Sequence, residues 1–317
     1  MSGLPVQRAH ELAACPEERR WLIEDLWAAE GVGILGGEPK CCKSFLALDM
    51  AVAVASGKPC LRRFRVAQPG PALVFAAEDA LHEVRRRLDG IANAAGTVLS
   101  EIEVHVITAP SVRLDVEADR RRLCETVQAI RPRLLVLDPF VRLHRIDENV
   151  SAEVAPLLAY LRELQRAAAV AVVVVHHARK GAAHARAGQA LRGSSEFHAW
   201  GDSNLYLRRA GDDLSLSIEH RAAPSPPPIG VVLNAATAAV ALELRAAVSG
   251  ETATRPDVLS VENAVERALA DADAPVPLAA LRQICRVRTK TVCDALAVLR
   301  RSGRIVKRPG GYELAPR

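Results

Sequence analysis

Aromatic residues make up only 3% of this 317-residue chain, with 3 Trp, 3 Tyr and 5 Phe. That scarcity excludes a core of stacked rings and leaves Ala, Val and Leu to fill the interior. The 7 cysteines, Cys15, Cys41, Cys42, Cys60, Cys124, Cys285 and Cys293, are odd in number and contain no C-x-x-C pair. With no signal peptide visible, reduced thiols in a cytoplasm are the expectation. The longest apolar run, Ala167 to Val175, is too short to cross a bilayer, so no membrane partner is expected. There is no internal repeat.

What is present reads as a soluble globular protein, with 50% hydrophobic and 25% charged residues,. The length allows one large domain and a small one. The net charge of +5 is unevenly placed: residues 255–317 hold 12 Lys and Arg against 7 Asp and Glu, and the remainder balances at 30 and 30. A basic end of this kind implies a nucleic-acid partner.

The run Gly36-Gly37-Glu38-Pro39-Lys40-Cys41-Cys42-Lys43-Ser44 departs by one residue from the phosphate-loop pattern G-x-x-x-x-G-K-[ST]. Cys42 replaces the second glycine. A triphosphate leaving water needs its charge met, and a turn feeding a helix N-terminus does this with backbone N–H groups. Lys43 would reach the β- and γ-phosphates, and the Ser44 hydroxyl would hold Mg²⁺. The candidate ATP-contacting run is Gly37 through Phe45. The context fits: Val32 to Leu35 reads as a buried strand, and Phe45 to Ala53 as an apolar helix. The Cys42 Cβ is acceptable if φ is negative there. The competing reading is a loop descended from an ATP site that no longer binds. A redox or metal site from Cys41 and Cys42 is disfavoured, because ligating cysteines are usually two or more residues apart.

From residue 31, near-continuous apolar strands (32–35, 72–77, 104–108, 134–137 and 170–175) alternate with helices (43–55, 80–95, 117–130 and 150–168). That is the pattern of an α/β fold with a mostly parallel sheet and helices on both faces. Beyond residue 202, strands at 203–208, 214–220, 229–235 and 240–244 predict an antiparallel extension. Residues 1–30 read as a helical lead-in, 31–245 as the core and 246–258 as a linker.

Two of these strands end in acid. Leu134 to Asp138 places Asp138 where a nucleotide site holds Mg²⁺; the alternative is a turn or capping aspartate before Pro139. Val74 to Asp79 offers Glu78 as a general base that orients water, with Asp79 as a cap for the next helix. The strand 170–175 runs into His176 and His177, which read either as polar groups beside the γ-phosphate or as structural histidines. Zinc is not expected there, for want of a clustered third ligand. Residues 179–195, with Arg179, Lys180, His184, Arg186 and Arg192, form a basic Gly/Ala-rich stretch suited to gripping a DNA backbone; a solvated surface loop is the alternative.

These pieces, with Arg192-Gly193-Ser194-Ser195, fall in order and resemble the RecA-like ATPases, in particular the RepA-like hexameric replicative helicases. The resemblance covers residues 31 to about 220. It implies a homo-oligomeric ring, such as a hexamer, with ATP at the interfaces. It implies phosphate and Mg²⁺ on Lys43 and Ser44, water activation by Glu78, metal on Asp138 and γ-phosphate sensing by His177. It also implies an arginine finger supplied in trans. The finger's usual region, Glu196 to Ser203, holds no arginine; Arg192, Arg208 and Arg209 are the substitutes, with Arg208 preferred.

Residues 259–317 resemble a winged helix-turn-helix domain: helices at 261–270, 277–284 and 289–302, then a hairpin over 304–314. Thr289 is a candidate N-cap and Gly303 a stop. Arg288 and Lys290 begin the candidate recognition helix, which would enter the major groove of duplex DNA. Arg300, Arg301, Arg304, Lys307 and Arg308 would meet phosphates. The alternative is a domain used for protein contacts. Together these features predict an ATP-dependent DNA-binding motor acting in replication or mobilisation of a genetic element. The alternative is a DNA-bound regulator or loader with little hydrolysis; a metabolic kinase is a weaker third reading.

Overall fold

The computed structural model describes residues 6–12, 16, 20–177, 196–211, 213–236, 239–245, 258–272, 274–285 and 289–315. The chain divides into two compact units, Met1–Arg245 and Ala246–Arg317.

In the first unit a short hairpin, β1 (Trp21–Ile23) and β2 (Trp27–Ala28), precedes β3 (Val32–Gly37), α1 (Lys43–Ser56), β4 (Ala72–Ala76), α2 (Leu81–Ala94) and β5 (Val104–Val106). Then come α3 (Glu117–Ile130), β6 (Leu134–Asp138), α4 (Ser151–Ala168), β7 (Ala171–His177) and α5 (Glu196–Trp200). Four strands close the unit: β8 (Ser203–Ala210), β9 (Asp213–His220), β10 (Ile229–Ala236) and β11 (Ala239–Leu244). The main sheet has 9 strands in the order β11-β10-β9-β8-β3-β7-β6-β4-β5. From β8 to β5 the neighbours are parallel. From β8 to β11 they are antiparallel.

The apolar strands have two buried faces because helices cover both. One face packs α1, α2 and the β1–β2 hairpin, with Leu46, Met50, Val84 and Leu88 against Leu205 and Leu207. The other packs α3 and α4, with Leu123, Val127, Leu157 and Leu161 against Val172, Val174 and Tyr206. Helix α1 is buried nearly all round, from Leu46 to Val54, as its unbroken apolar sequence requires.

The helical lead-in expected over residues 1–30 is corrected. Residues 21–28 form a hairpin, and Ala9–Glu11 is a single 3₁₀ turn. Leu22, Ile23, Leu26 and Trp27 are buried, and their spacing imitates a helical stripe. Their backbone, however, pairs with residues 65–67: Glu24 N–H donates to Arg65 O at 2.8 Å and Ala67 N–H to Leu22 O at 2.9 Å. Asp25 turns the chain in the left-handed region, at φ 55°.

The second unit holds α6 (Val258–Ala270), α7 (Leu278–Ile284), α8 (Thr289–Arg301), and the strands β12 (Ile305–Arg308) and β13 (Gly311–Leu314), paired antiparallel. Val265, Leu281, Leu296 and Ile305 form its core. Val276, just before α7, exchanges both backbone hydrogen bonds with Tyr312 at 2.9 Å, which ties the hairpin to the helices. Gly303 sits at φ 70° just past α8, as a helix stop does. Thr289 is the first residue of α8 rather than a residue before it.

Candidate nucleotide site

The C-terminal ends of β3, β7, β6 and β4 share one edge of the sheet. Gly37, the last residue of β3, is in register with His177 on β7 and Leu207 on β8. Ala76 on β4 is in register with Asp138 on β6. The topology therefore gathers the loop 37–42, Asp138, Glu78 and His177 at one edge, where open parallel sheets bind ligands. Gly37 is demanded by closeness: a Cβ there would lie 2.4 Å from Leu207 O and 2.6 Å from Cys41 Sγ.

Lys43, the first residue of α1, is buried at 5% exposure. Its Nζ donates to Gly37 O at 3.0 Å and to Glu38 O at 2.8 Å, so the ammonium stands inside the turn of the loop. Burial pulls its pKa down, against the opposing pull of Cys41, Asp138 and Glu78. The hydroxyl of the next residue, Ser44, lies close enough to Asp138 to favour its charged form. Burial raises the Asp138 carboxyl to about 6; the Ser44 hydroxyl and Lys43 lower it, while Asp79 and Glu78 raise it. A hydroxyl beside a buried carboxylate is a hard-oxygen pair suited to Mg²⁺, which takes one or two carboxylates and keeps several waters. Among the described residues no group of three or more His, Cys, Asp and Glu could hold a metal.

Cys42 departs from expectation. Tolerance of its Cβ is tied above to a negative φ, but φ is +64° and ψ is 25°. The loop keeps the left-handed turn that a glycine normally supplies, and the cysteine adopts it at a cost of about 1–2 kcal/mol. The loop's path has overridden the residue's preference. Burial pushes both loop thiols above their ordinary pKa. Neither is therefore an activated thiolate.

Glu78 lies just beyond β4, at the site edge, and Arg142 Nε donates to its Oε1 at 3.0 Å. Asp79 does not cap α2: the N-cap is Ala80, and Asp79 instead pairs with Arg87 at 2.5 Å. Arg87 also lies over the Phe45 ring, 5.2 Å from its centroid. The histidines part company. His176 is a core residue at 1% exposure, stacked 4.3 Å from Phe197. His177 ends β7 at the site edge.

Arg208 lies inside β8, which continues to Ala210, rather than at the strand's end. Strand alternation puts it on the face of Tyr206 and Arg209 on the face of Leu205 and Leu207,. Arg209 Nη2 reaches Cys42 Sγ at 4.0 Å. Arg179, Lys180, Arg186 and Arg192 fall outside the described residues, as does Arg288; Lys290 is in α8. Arg300, Arg301, Lys307 and Arg308 are exposed on the second unit.

Sequence reasoning missed Arg142 and the placement of Arg209. No pattern in the sequence announces Arg142. The alternation of Leu205, Leu207 and Arg209 could have found the second.

The sheet order, the phosphate-type loop and the acids at its edge define a RecA-like P-loop fold. A family model described as an AAA domain matches residues 2–183, more than half of the chain, and the chain belongs to that family. Among solved structures, one described as an ATPase domain matches with a TM-score of 0.51 and 13% identity, over 68% of this chain and 86% of that one. A DnaB-like replicative helicase, described with its interactions with primase, matches with a TM-score of 0.50 and 12% identity. That match covers 67% of this chain and 57% of the helicase. No helix among the described residues is long and apolar enough to cross a membrane.

Proposed function

We propose that this chain is an ATP-dependent DNA-binding protein of the helicase or translocase type, acting in replication or mobilisation of a genetic element. The observation that carries the reading is the buried Lys43 ammonium, which donates to Gly37 O at 3.0 Å and Glu38 O at 2.8 Å inside the loop, with Ser44 and Asp138 beside it. The hydroxyl, carboxylate and ammonium stand together at the sheet edge where the loop ends.

In this reading the loop N–H groups and Lys43 bind the triphosphate, and Ser44 and Asp138 hold Mg²⁺. The bound Mg²⁺ supplies neutralisation of phosphate charge. Glu78 accepts a proton from the attacking water, and His177 senses the terminal phosphate. The fold likeness to a solved ATPase domain and to a DnaB-like replicative helicase supports assembly as a homo-oligomeric ring. Residues 179–195 follow His177 closely in the chain; they would carry its state to a single DNA strand. The three helices and hairpin of the second unit, with its basic excess, support a winged-helix reading and a duplex DNA partner.

The second reading is a regulator or loader that binds ATP and hydrolyses it slowly. The pairing of Glu78 with Arg142 favours it, because a carboxylate engaged by a guanidinium must leave it before it can meet the attacking water. ATPase rates with and without single-stranded DNA separate the two. A DNA-stimulated rate abolished by Lys43→Ala supports the motor. Nucleotide binding with no DNA response supports the regulator, and no nucleotide binding overturns both.

A further inference from the structure

Adjacent arginines on a strand cannot serve the same site, because successive side chains leave opposite faces of the sheet. Arg208 and Arg209 are such a pair. Leu207 is buried against the α1 side and is in register with Gly37, where the phosphate-type loop begins. Arg209 lies two residues further along the same face, so its guanidinium emerges beside the loop of its own chain. The 4.0 Å approach of Arg209 Nη2 to Cys42 Sγ agrees with that placement. The two groups are brought together from positions 167 residues apart. Arg87 also lies close enough to lower the Cys42 pKa, but it is engaged by Asp79 at 2.5 Å. Arg209 is exposed and its planar fork suits phosphate oxygens.

We propose that Arg209 is a phosphate-binding residue supplied in cis, from β8 of the same subunit, to the terminal phosphates of the nucleoside triphosphate held by loop 37–44. The inference rests on the nucleotide reading of that loop and adds a second cation to Lys43 within one chain. It also gives Cys42 a task. A thiol at the loop's left-handed position is a weak acceptor that holds the guanidinium at the lip of the site. A glycine there would offer Arg209 no side chain to rest on.

The test is calorimetric titration of the full-length protein with the magnesium complex of a non-hydrolysable ATP analogue. Wild type is compared with Lys43→Ala, Arg209→Ala and Arg209→Lys. Arg209 is solvent-exposed, so its variants are expected to melt as wild type does. Arg209→Ala should weaken binding about tenfold to a hundredfold, the range of a charge-assisted hydrogen bond. Arg209→Lys should recover part of the loss. Mixing Arg209→Ala with Lys43→Ala should restore no ATPase, because a cis arginine cannot complete a neighbour's site. Binding by Arg209→Ala within about twofold of wild type would overturn the assignment, as would restored activity in the mixture. A folded wild type that ignores the analogue overturns the nucleotide reading itself, and Lys43→Ala then changes nothing.

Discussion

Arg142 Nε stands 3.0 Å from Glu78 Oε1, so the candidate base is held by a cation from the segment that follows Asp138. Both side chains are largely solvated, at 61% and 43% exposure. Such a pair contributes about 0–1 kcal/mol. If it must open before Glu78 meets water, Arg142→Ala should raise the basal ATPase rate by at most about fivefold, with KM little changed. Steady-state kinetics without DNA decide it. A fall in kcat would make Arg142 a supporting residue rather than a restraint.

Asp138 predicts a particular dependence on pH. Its folded pKa of about 6 lies above the ordinary 3.8 because burial disfavours the charge. Between these values the unfolded chain has already released the proton that the folded chain keeps. The stabilising contribution is therefore full below about pH 4 and is lost as pH rises toward 6, by about 3 kcal/mol at most. In Mg²⁺-free buffer, thermal melts of wild type minus those of Asp138→Asn should show that decline. A flat difference would mean that the carboxyl is charged at low pH after all. Mg²⁺ added above pH 6 should recover the loss in wild type alone.

Cys42 carries strain that a substitution can read. At φ +64° its Cβ costs about 1–2 kcal/mol, while glycine would cost the unfolded chain about 0.5–1 kcal/mol in freedom. Cys42→Gly should therefore be neutral or stabilising by about 1 kcal/mol, raising Tm by about 2–4 °C. Cys42→Val should be clearly destabilising, since a β-branched side chain suits that region worst. If Val melts as Cys does, the loop does not hold the left-handed turn in solution.

Asp49 is 2% exposed within α1, the helix that starts at Lys43. Its Oδ1 accepts a hydrogen bond from Leu61 N at 2.8 Å, and its Oδ2 accepts from Arg62. Arg62 donates onward to Leu242 O at 2.6 Å, joining α1 to β11. Removing Asp49 leaves the Leu61 N–H without its acceptor and Arg62, 25% exposed, without its carboxylate, at about 3 kcal/mol,. Asp49→Ala should lower Tm by about 10 °C. An unchanged melt would show that water reaches the pair.

Much of this was legible in the sequence because one signal ruled at a time. The parallel strands are apolar runs too short for helices, and β6 and β7 lie where those runs stand, with β7 extended through both histidines. Helix Glu117–Ile130 matches its expected range to the residue because Pro132 follows it and its apolar stripe is narrow. At residues 21–28 two periods agreed on the same buried positions, and only the partner segment 65–67 decided for a hairpin. The pairing of Arg142 with Glu78, 64 residues apart, depends on how β4 and β6 lie side by side. No local pattern encodes that. Asp79 misled because a short acid before a helix resembles a cap, whereas Arg87, two turns on, competes for it.

The cations of the second unit differ in whether a carboxylate already meets them. Arg300, Arg301 and Lys307 are exposed, whereas Arg308 is paired with Glu313 at 2.7 Å and Arg304 with Glu266. A cation already matched by a carboxylate releases fewer counterions from DNA than an unmatched one. In the full-length protein on duplex DNA, the triple variant Arg300→Ala, Arg301→Ala, Lys307→Ala should bind more weakly at every sequence. Its slope of log K against log salt should flatten by about 0.9 for each phosphate no longer neutralised, close to about 3 in all. Arg308→Ala should change that slope by much less than about 1. Fluorescence anisotropy from about 50 to 200 mM salt reads both. A triple variant with the wild-type slope would remove this unit from the DNA interface and return it to the protein-contact reading.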